Sequence, residues 1–194
     1  MLPPFTSIGV LPPGDYALTL DELRASHLVT GAGNSSPTWD SEWRLQLVDN
    51  LKVLAKQLWA IGIERIFVDG SFVENKDHPR DIDGYFECDL KFHLSGALEQ
   101  ALNARDPDKI WTWRSTARQA HPDSIKRELP MWHLYRVELY PHTIGQLSGI
   151  RDQFGNDLQF PSAFRQTRGT FQPKGIVQVV QTSQSAAQPA KESS

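Results

Sequence analysis

The feature that most constrains the fold is the segment of residues 65–69, in which Ile66, Phe67 and Val68 form a short apolar run. It ends in Gly70 and Ser71, and Asp81 and Asp83 follow after nine further residues. A short apolar run that ends at a glycine predicts a buried β-strand. Glycine lets the backbone approach a ligand closely, and the N–H groups of a helix start, together with a serine hydroxyl, suit a phosphate. The run therefore predicts a strand that leads into a phosphate-binding turn.

Asp81 and Asp83 belong to a second predicted strand, residues 81–87. Because they lie two residues apart, their side chains are expected on the same face of the strand. Two carboxylates on one face repel each other unless a cation lies between them, and oxygen ligands favour Mg²⁺ or Mn²⁺. Taken alone, the pair could be two solvent-facing acids in a turn after Pro79. The Gly-Ser turn on the preceding strand favours the metal site, since phosphoryl and nucleotidyl transfer need both parts.

The remaining pattern predicts an α+β or α/β fold, a mixed β-sheet flanked by helices. Residues 40–60 carry apolar side chains at steps of three and four, which predicts a long amphipathic helix ending at Gly62. Residues 105–130 are ambiguous. We further expect a helix over 95–104 capped by Ser95, a strand over 132–140, a helix over 143–154 and a strand over 174–181.

Three segments are expected along the chain. Residues 1–37 are interrupted by prolines and predict an irregular N-terminal segment, with a short helix possible over 19–28. Residues 38–181 form the predicted domain. Residues 182–194 lack large apolar side chains, which predicts a disordered tail.

The composition excludes several classes of protein. The net charge of −3 does not indicate a protein that coats DNA, and the single cysteine, Cys88, excludes a disulfide framework. We expect no signal peptide and no membrane span, because no apolar run reaches about 18 residues. A cytoplasmic protein is therefore expected. Asp69 is interpreted as a turn or cap residue, and Lys76, Arg165, Arg168 and Lys174 as solvated surface charges that could also meet phosphate or RNA.

The spacing from Gly70-Ser71 to Asp81-x-Asp83 resembles the signature of the DNA polymerase β-type nucleotidyltransferase superfamily. The resemblance implies a mixed sheet flanked by helices, a Gly-Ser turn that holds a nucleoside triphosphate, and paired acids that bind magnesium. Residues 11–14, 68–73 and 174–177 are also similar to a poorly characterised bacterial nucleotidyltransferase-like family, and this similarity covers residues 11 to about 180.

The superfamily carries a third carboxylate on a later strand, and Glu138 resembles it by position and surroundings. The alternative for Glu138 is a plain ion pair with Arg136. Gly84 departs from the pattern, because a bulkier strand residue is expected after Asp83. A strand loosened by this glycine could misplace Asp83. His142 is a further, weaker candidate for the site.

The resemblance implies a metal-dependent enzyme that moves a nucleoside monophosphate from a triphosphate to a hydroxyl on a protein or RNA. Gly70 and Ser71 would hold the β and γ phosphates, and Asp81, Asp83 and Glu138 would bind Mg²⁺ or Mn²⁺, with Glu138 also activating the acceptor. Small enzymes of this superfamily often act in toxin–antitoxin or phage-defence pairs, which implies a cognate toxin or antitoxin. One alternative is a catalytically inactive binding module, an antitoxin-like partner or a nucleotide sensor. A third is a metal-dependent hydrolase that uses the same acids.

Overall fold

The computed structural model describes residues 2–33 and 36–182, so the predicted disordered tail lies outside the described residues from residue 183 onward. None of the helices in these ranges has the length and apolar character needed to cross a membrane. Two short 3-10 helices, Gly70–Val73 and Ser115–Ala117, accompany the regular elements. The helices are α1 (Leu20–Ala25), α2 (His27–Thr30), α3 (Ser41–Trp59), α4 (Leu90–Leu94), α5 (Ala97–Asn103), α6 (Pro130–Tyr135) and α7 (Phe160–Ala163). The strands are β1 (Asp15–Thr19), β2 (Ile66–Asp69), β3 (Ile82–Glu87), β4 (Val137–His142), β5 (Leu147–Arg151), β6 (Asp157–Gln159) and β7 (Ile176–Val180).

Within the described residues, five strands form one mixed sheet in the order β1-β7-β2-β3-β4. The pairs β1–β7 and β3–β4 are parallel, whereas β2 is antiparallel to both β7 and β3. Strands β5 and β6 pair separately in an antiparallel ribbon. The structure is therefore an α+β fold with a mixed sheet flanked by helices, as the sequence predicts.

Helix α3 covers one face of this sheet and confirms the helix predicted over residues 40–60. The Asp40 side chain caps its first turn by accepting a hydrogen bond from the backbone N–H of Trp43 at 2.9 Å. The apolar stripe of α3 packs into the larger core cluster, which it shares with the sheet residues of the same face. Its wholly buried apolar members are Leu47, Val48, Leu51, Leu54, Ala55 and Leu58.

The opposite face of the sheet carries a smaller aromatic cluster. The rings of Phe67 and Tyr85 stack at 4.8 Å, and Phe160 of α7 lies over Tyr140 at 5.4 Å. Side chains alternate between the faces of a strand. The residues that precede and follow these aromatic residues by two positions therefore share their face, and the candidate site is on that side.

The N-terminal segment differs from the irregular segment predicted over residues 1–37. Strand β1 lies at the edge of the main sheet, in parallel register with β7 from Asp15 opposite Ile176 to Thr19 opposite Val180. Its pairing partner is about 160 positions away in the chain, so no local sequence pattern predicts this strand. The predicted short helix is present as α1, where Thr19 and Glu22 form a capping box.

Three other predicted elements need correction. The strand predicted over 132–140 begins only at Val137, because α6 runs from Pro130 to Tyr135 and is capped by Arg136, whose φ of 52° is left-handed. The helix predicted over 143–154 is wrong, since this segment contains strand β5 and glycines with positive φ. The helix predicted over 95–104 is present as α5, but Gly96 takes the N-cap position expected for Ser95, and the preceding helix α4 was not predicted.

Candidate functional site

The predicted site residues come from three adjacent strands. In the antiparallel pair β2–β3, Asp69 lies opposite Asp83, and in the parallel pair β3–β4, Asp83 lies opposite Glu138. The 3-10 helix Gly70–Val73 follows directly on β2. The backbone register thus brings the Gly-Ser turn, Asp83 and Glu138 to one end of the three strands.

Gly70 lies against the carboxylate of Asp83. Its φ is +72°, and a Cβ atom at this position would lie 2.8 Å from Asp83 Oδ2. Any other residue would be strained here and would press on the carboxylate. Ser71 is partly exposed, and within residues 2–33 and 36–182 its hydroxyl has no hydrogen-bond partner. The turn therefore has both the close backbone approach and an available hydroxyl.

Asp81 is held by an aromatic donor. The indole Nε1 of Trp132 donates to Asp81 Oδ2 at 2.7 Å, and Arg80 Nε lies 3.6 Å from the same oxygen. The Trp132 ring is itself wholly buried, with the guanidinium of Arg136 stacked 3.9 Å from the ring centroid. Asp81 is nearly buried and firmly oriented.

Asp83 lies at the centre of the cluster and is partly exposed. Burial against the surrounding protein, and then the negative charges of Asp81 and Glu138, raise its pKa to about 7. Lys126 and Arg168 act in the opposite direction on the Asp83 pKa, so both cations lie close to the cluster. The region around Asp83 favours a positively charged ligand.

Glu138 is wholly buried and has four polar partners. It accepts hydrogen bonds from the backbone N–H of Leu129 at 2.9 Å and from the Tyr140 hydroxyl. Arg118 Nη1 and Lys126 Nζ lie 3.4 Å and 3.5 Å from its oxygens.

The alternative of a Glu138–Arg136 ion pair is wrong. The backbone of Arg136 is in the left-handed conformation. Its side chain lies over the Trp132 ring, and its Nη2 atom is 3.7 Å from Asp123 Oδ2. The ion pairs of Glu138 come instead from the segment between α5 and α6, whose structure the sequence leaves ambiguous.

Glu128 is a fourth carboxylate that sequence reasoning missed. It is wholly buried, and its Oε1 accepts from Arg80 at 3.2 Å and from the Ser124 hydroxyl. Its Oε2 lies 3.2 Å from Lys126 Nζ. An isolated antiparallel bridge between Gln119 and Glu128 holds it in place. No periodicity or motif over residues 105–130 points to it.

Gly84 tightens the sheet. A Cβ atom on Gly84 would lie 2.3 Å from the carbonyl oxygen of Phe67 and 2.8 Å from Leu139 Cδ2. Strand β3 is paired on both sides at this residue, opposite Val68 and Leu139. The expectation that this glycine loosens the strand is therefore wrong, because it allows β2 and β4 to approach β3 closely.

Lys174 and Asp69 form a buried ion pair beside the Gly-Ser turn. Lys174 Nζ lies 3.1 Å from Asp69 Oδ2 and 2.7 Å from Glu74 Oε1, and Lys174 is only 4% exposed. Burial raises the pKa of Asp69 to about 7, against the lowering effect of Lys174. The expectation of a surface charge for Lys174 is therefore wrong. Asp69 does occupy the N-cap position of the 3-10 helix, without a side-chain cap hydrogen bond, and it also forms this buried ion pair.

The remaining sequence candidates lie outside the cluster or point elsewhere. Arg165 pairs with Asp15 at 2.7 Å and donates to the Tyr85 hydroxyl at 3.1 Å. His142 lies opposite Glu87, four residues beyond Glu138 along β4, which places it on the order of 13 Å from that residue. The structure does not bring His142 to the site.

Arg44 of α3 supports the turn from beneath and was not predicted. It is wholly buried, its guanidinium lies 3.9 Å from the Trp39 ring centroid, and burial lowers its pKa to about 10. Its Nη atoms donate to four backbone carbonyls. One belongs to Leu28, at 2.7 Å, and the other three lie in or just after the 3-10 helix: Phe72 at 2.8 Å, Glu74 at 3.1 Å and Lys76. The only sequence signal is a charged residue inside an apolar helix stripe.

The donor set has the chemistry of a site for a hard divalent cation. All four acids offer oxygen ligands, they share a region where like charges raise the Asp83 pKa, and Glu128 Oε2 is buried with no hydrogen-bond partner. Among the residues described, however, no three acidic, histidine or cysteine side chains are already placed around one ion. Asp81 is instead engaged by Trp132, and Glu138 by Tyr140, Arg118 and Lys126.

The chain belongs to a family of unknown function, DUF6932, whose model matches residues 3–180. No curated protein and no solved structure matches this chain.

Proposed function

We propose that this DUF6932 protein is a cytoplasmic, metal-dependent nucleotidyltransferase with the fold of the DNA polymerase β-type superfamily. It would move a nucleoside monophosphate from a triphosphate to a protein or RNA hydroxyl. One observation carries the proposal. A glycine-serine turn at the end of β2 lies against Asp83, and Asp83 lies directly opposite Glu138 on the next strand.

The turn supports the role of a phosphate site. The positive φ of Gly70 and its lack of a side chain leave the backbone open beside Asp83, and the Ser71 hydroxyl is available to donate. Arg44 fixes the turn by binding the carbonyls of Phe72 and Glu74. A preorganised turn binds phosphate more tightly, because less ordering is needed on binding.

The acids support the role of a metal site. Asp81, Asp83 and Glu138 would hold Mg²⁺ or Mn²⁺, with the buried Glu128 oxygen as a further donor nearby. A bound divalent cation would neutralise charge on the phosphates and polarise the α-phosphorus. Trp132 orients Asp81, and the Leu129 backbone N–H orients Glu138.

The proposed reaction conserves every atom. The acceptor hydroxyl oxygen forms a bond to the α-phosphorus, and the bond from the α-phosphorus to the oxygen that bridges to the β-phosphate breaks. Pyrophosphate leaves with that electron pair. The hydroxyl proton passes to a carboxylate of the cluster, a role for which we propose Glu138.

The test is incubation of the protein with each of the four α-labelled ribonucleoside triphosphates, Mg²⁺ and cell lysate, followed by separation of protein and RNA. Label should appear on one of them with the parent. Ser71→Ala should reduce transfer about ten- to a hundredfold, the effect of losing a hydrogen bond to a charged group. Asp81→Asn should abolish transfer and spare part of the triphosphate affinity. Labelled product from Asp81→Asn at the parent's rate would contradict the proposal.

The second candidate function is a nucleotide-binding module without catalysis. It is favoured by the saturated surroundings of Glu138, whose oxygens already have four partners. Such a protein would bind a triphosphate and transfer nothing to any acceptor. In either case the resemblance extends the proposal to a toxin–antitoxin or phage-defence system with a cognate partner.

A further inference from the structure

Lys126 occupies the centre of the negative charge that the candidate site contains. Its Nζ lies 3.2 Å from Glu128 Oε2 and 3.5 Å from Glu138 Oε2. It is also close enough to Asp83 to act on that carboxyl. One ammonium group therefore serves three carboxylates, two of which are wholly buried.

Glu128 shows how strongly the cluster depends on this cation. Its Oε2 is buried and has no hydrogen-bond partner among the described residues, so the nearby ammonium is its compensation. A buried ionised oxygen without a compensating charge is strongly destabilising. The structure thus holds a cation between Glu128 and Glu138.

Lys126 differs from the acids in its freedom to move. Its side chain is 44% exposed, whereas those of Glu128 and Glu138 are 0% exposed. Ile125 and Arg127 on either side are exposed, so Lys126 can swing outward without displacing a packed neighbour. Glu128 stays in place because the bridge to Gln119 holds it.

An ammonium is a poor substitute for a divalent cation in such a site. It approaches carboxylates at about 3 Å and carries one charge, whereas Mg²⁺ lies 2.0–2.1 Å from its oxygen ligands and carries two. A divalent cation that binds the acids must therefore displace it. Lys126 acts on the carboxyl of Asp83, and Asp83 in turn lies against Gly70 of the proposed phosphate-binding turn.

We propose that Lys126 is the built-in counterion of the acid cluster, that a divalent cation displaces it, and that the displaced ammonium then binds the triphosphate. This inference rests on the proposed function. It explains why no three acids among the described residues already surround one point. It also assigns a ligand-binding role to a segment for which the sequence gives no motif.

The proposal predicts opposite changes in two affinities of one variant. In Lys126→Met, Mn²⁺ alone should bind roughly three- to tenfold more tightly, because no ammonium competes for the acids. A triphosphate with Mn²⁺ should bind about tenfold or more weakly, because a charge-assisted contact to phosphate is lost. A residue with a purely structural role would weaken both affinities or neither.

The experiment is calorimetric titration of the full chain, first with MnCl₂ and then with ATP, GTP, CTP and UTP in the presence of Mn²⁺. Lys126→Gln is a second neutral variant, in case methionine perturbs folding, and thermal melts check both. Lys126→Arg keeps the charge and should bind Mn²⁺ as the parent does. Lys91→Met, an exposed lysine of α4 beyond the far end of β3, is the matched control.

The outcomes separate this inference from the proposed function. Tighter Mn²⁺ binding and weaker triphosphate binding in both neutral variants support it. If the parent binds Mn²⁺ and the neutral variants bind it no more tightly, the inference is overturned and the proposed function stands. An unchanged triphosphate affinity also overturns it, because Lys126 would then be a counterion only. If the parent binds no Mn²⁺, both proposals fall.

Discussion

Strands β2, β3 and β4 carry apolar side chains on one face of the sheet and charged side chains on the other. On the face toward α3, Val68, Ile82 and Leu139 are wholly buried and need no partner beyond close packing. On the other face, Asp83 and Glu138 take the alternate positions of β3 and β4. Side-chain alternation thus places an apolar layer and a charged layer back to back in the same strands.

The difference shows which interactions stabilise each face of the sheet. Apolar side chains gain roughly 25 cal/mol for each Å² removed from water, whichever neighbours they meet. Buried carboxylates require particular donors, because an unpaired charge in the interior is strongly destabilising. The charged face therefore depends on specific long-range partners such as Trp132, Arg118 and Lys126. The apolar face therefore depends on close packing, and the charged face depends on particular donors and cations.

The largest loss of stability is expected on the apolar face at Gly84, where the backbone of β2 lies close to β3. Gly84→Ala should destabilise the protein by more than ~4 kcal/mol, because the new Cβ would lie 2.3 Å from a carbonyl oxygen in β2. Chemical denaturation measures the change. Gly62→Ala is the control: its Cβ meets no atom within 4 Å, so only the positive φ of +83° opposes it, at a cost of about 1 kcal/mol. Similar losses in the two variants would show that β2 and β4 do not close around Gly84.

The next largest loss of stability is expected at Arg44, a wholly buried arginine of α3. Arg44→Met keeps most of the side-chain length but leaves four carbonyls without their donor, and we expect a loss of roughly 3–5 kcal/mol. Arg105→Met, on an exposed arginine after α5, should change stability by less than about 0.5 kcal/mol. Urea denaturation of both variants decides this. A tolerant Arg44→Met would mean that packing alone holds the Gly-Ser turn.

A smaller effect is expected at the indole that orients Asp81. Trp132→Phe retains an aromatic ring and removes the N–H that donates to Asp81 Oδ2 at 2.7 Å. The variant should lose about 1–3 kcal/mol, the cost of a buried acceptor left without its donor. In the double variant with Asp81→Asn, the two losses should not add, because both remove the same hydrogen bond. Additive losses in urea denaturation would show that the contact contributes nothing to stability.

The smallest effect is a pH dependence at Asp83. Its pKa is raised to about 7, so the folded protein keeps a proton that the unfolded chain has released above about pH 4. Stability should fall as the pH rises from about 4 to about 7, since the unfolded state binds fewer protons there. Asp83→Asn cannot ionise and should melt about 2–4 °C above the parent at pH 8, a difference that shrinks toward pH 5.

The control for this pH dependence is Asp108→Asn, on an exposed aspartate after α5. It should leave the difference between pH 5 and pH 8 as it is in the parent. A parent-like pH profile in Asp83→Asn would mean that the Asp83 carboxyl ionises as freely in the folded protein as in the unfolded chain.

The parts of the fold that the sequence predicts are those with a local signal. The stripe of α3, the apolar runs of β2 and β7 and the capping box of α1 each lie within a short window. Strand β1 was missed because its partner β7 is distant in the chain. The glycines of residues 143–154 are compatible with a turn-rich ribbon, and the helical interpretation gave too little weight to them.

The residues of the candidate site also divide into those with a local sequence signal and those without one. Gly70, Ser71, Asp81 and Asp83 lie within fourteen positions, at the end of β2 and the start of β3, so their spacing brings them together. Glu138 is predicted only from the resemblance to a nucleotidyltransferase pattern, and the register of β3 and β4 places it opposite Asp83. Its partners could not be predicted, because Arg118, Lys126 and Glu128 come from a segment without periodicity, positioned by tertiary contacts.

The most direct test of the account is the affinity of the charged face for a divalent cation. MnCl₂ is titrated into the parent, Asp83→Asn and the Asp108→Asn control at pH 7.5, with calorimetry as the readout. We expect the parent and the control to bind Mn²⁺, and Asp83→Asn to bind it at least about tenfold more weakly, because a neutral amide is a poor ligand for a hard cation. Equal Mn²⁺ affinity in Asp83→Asn and the parent would contradict the account.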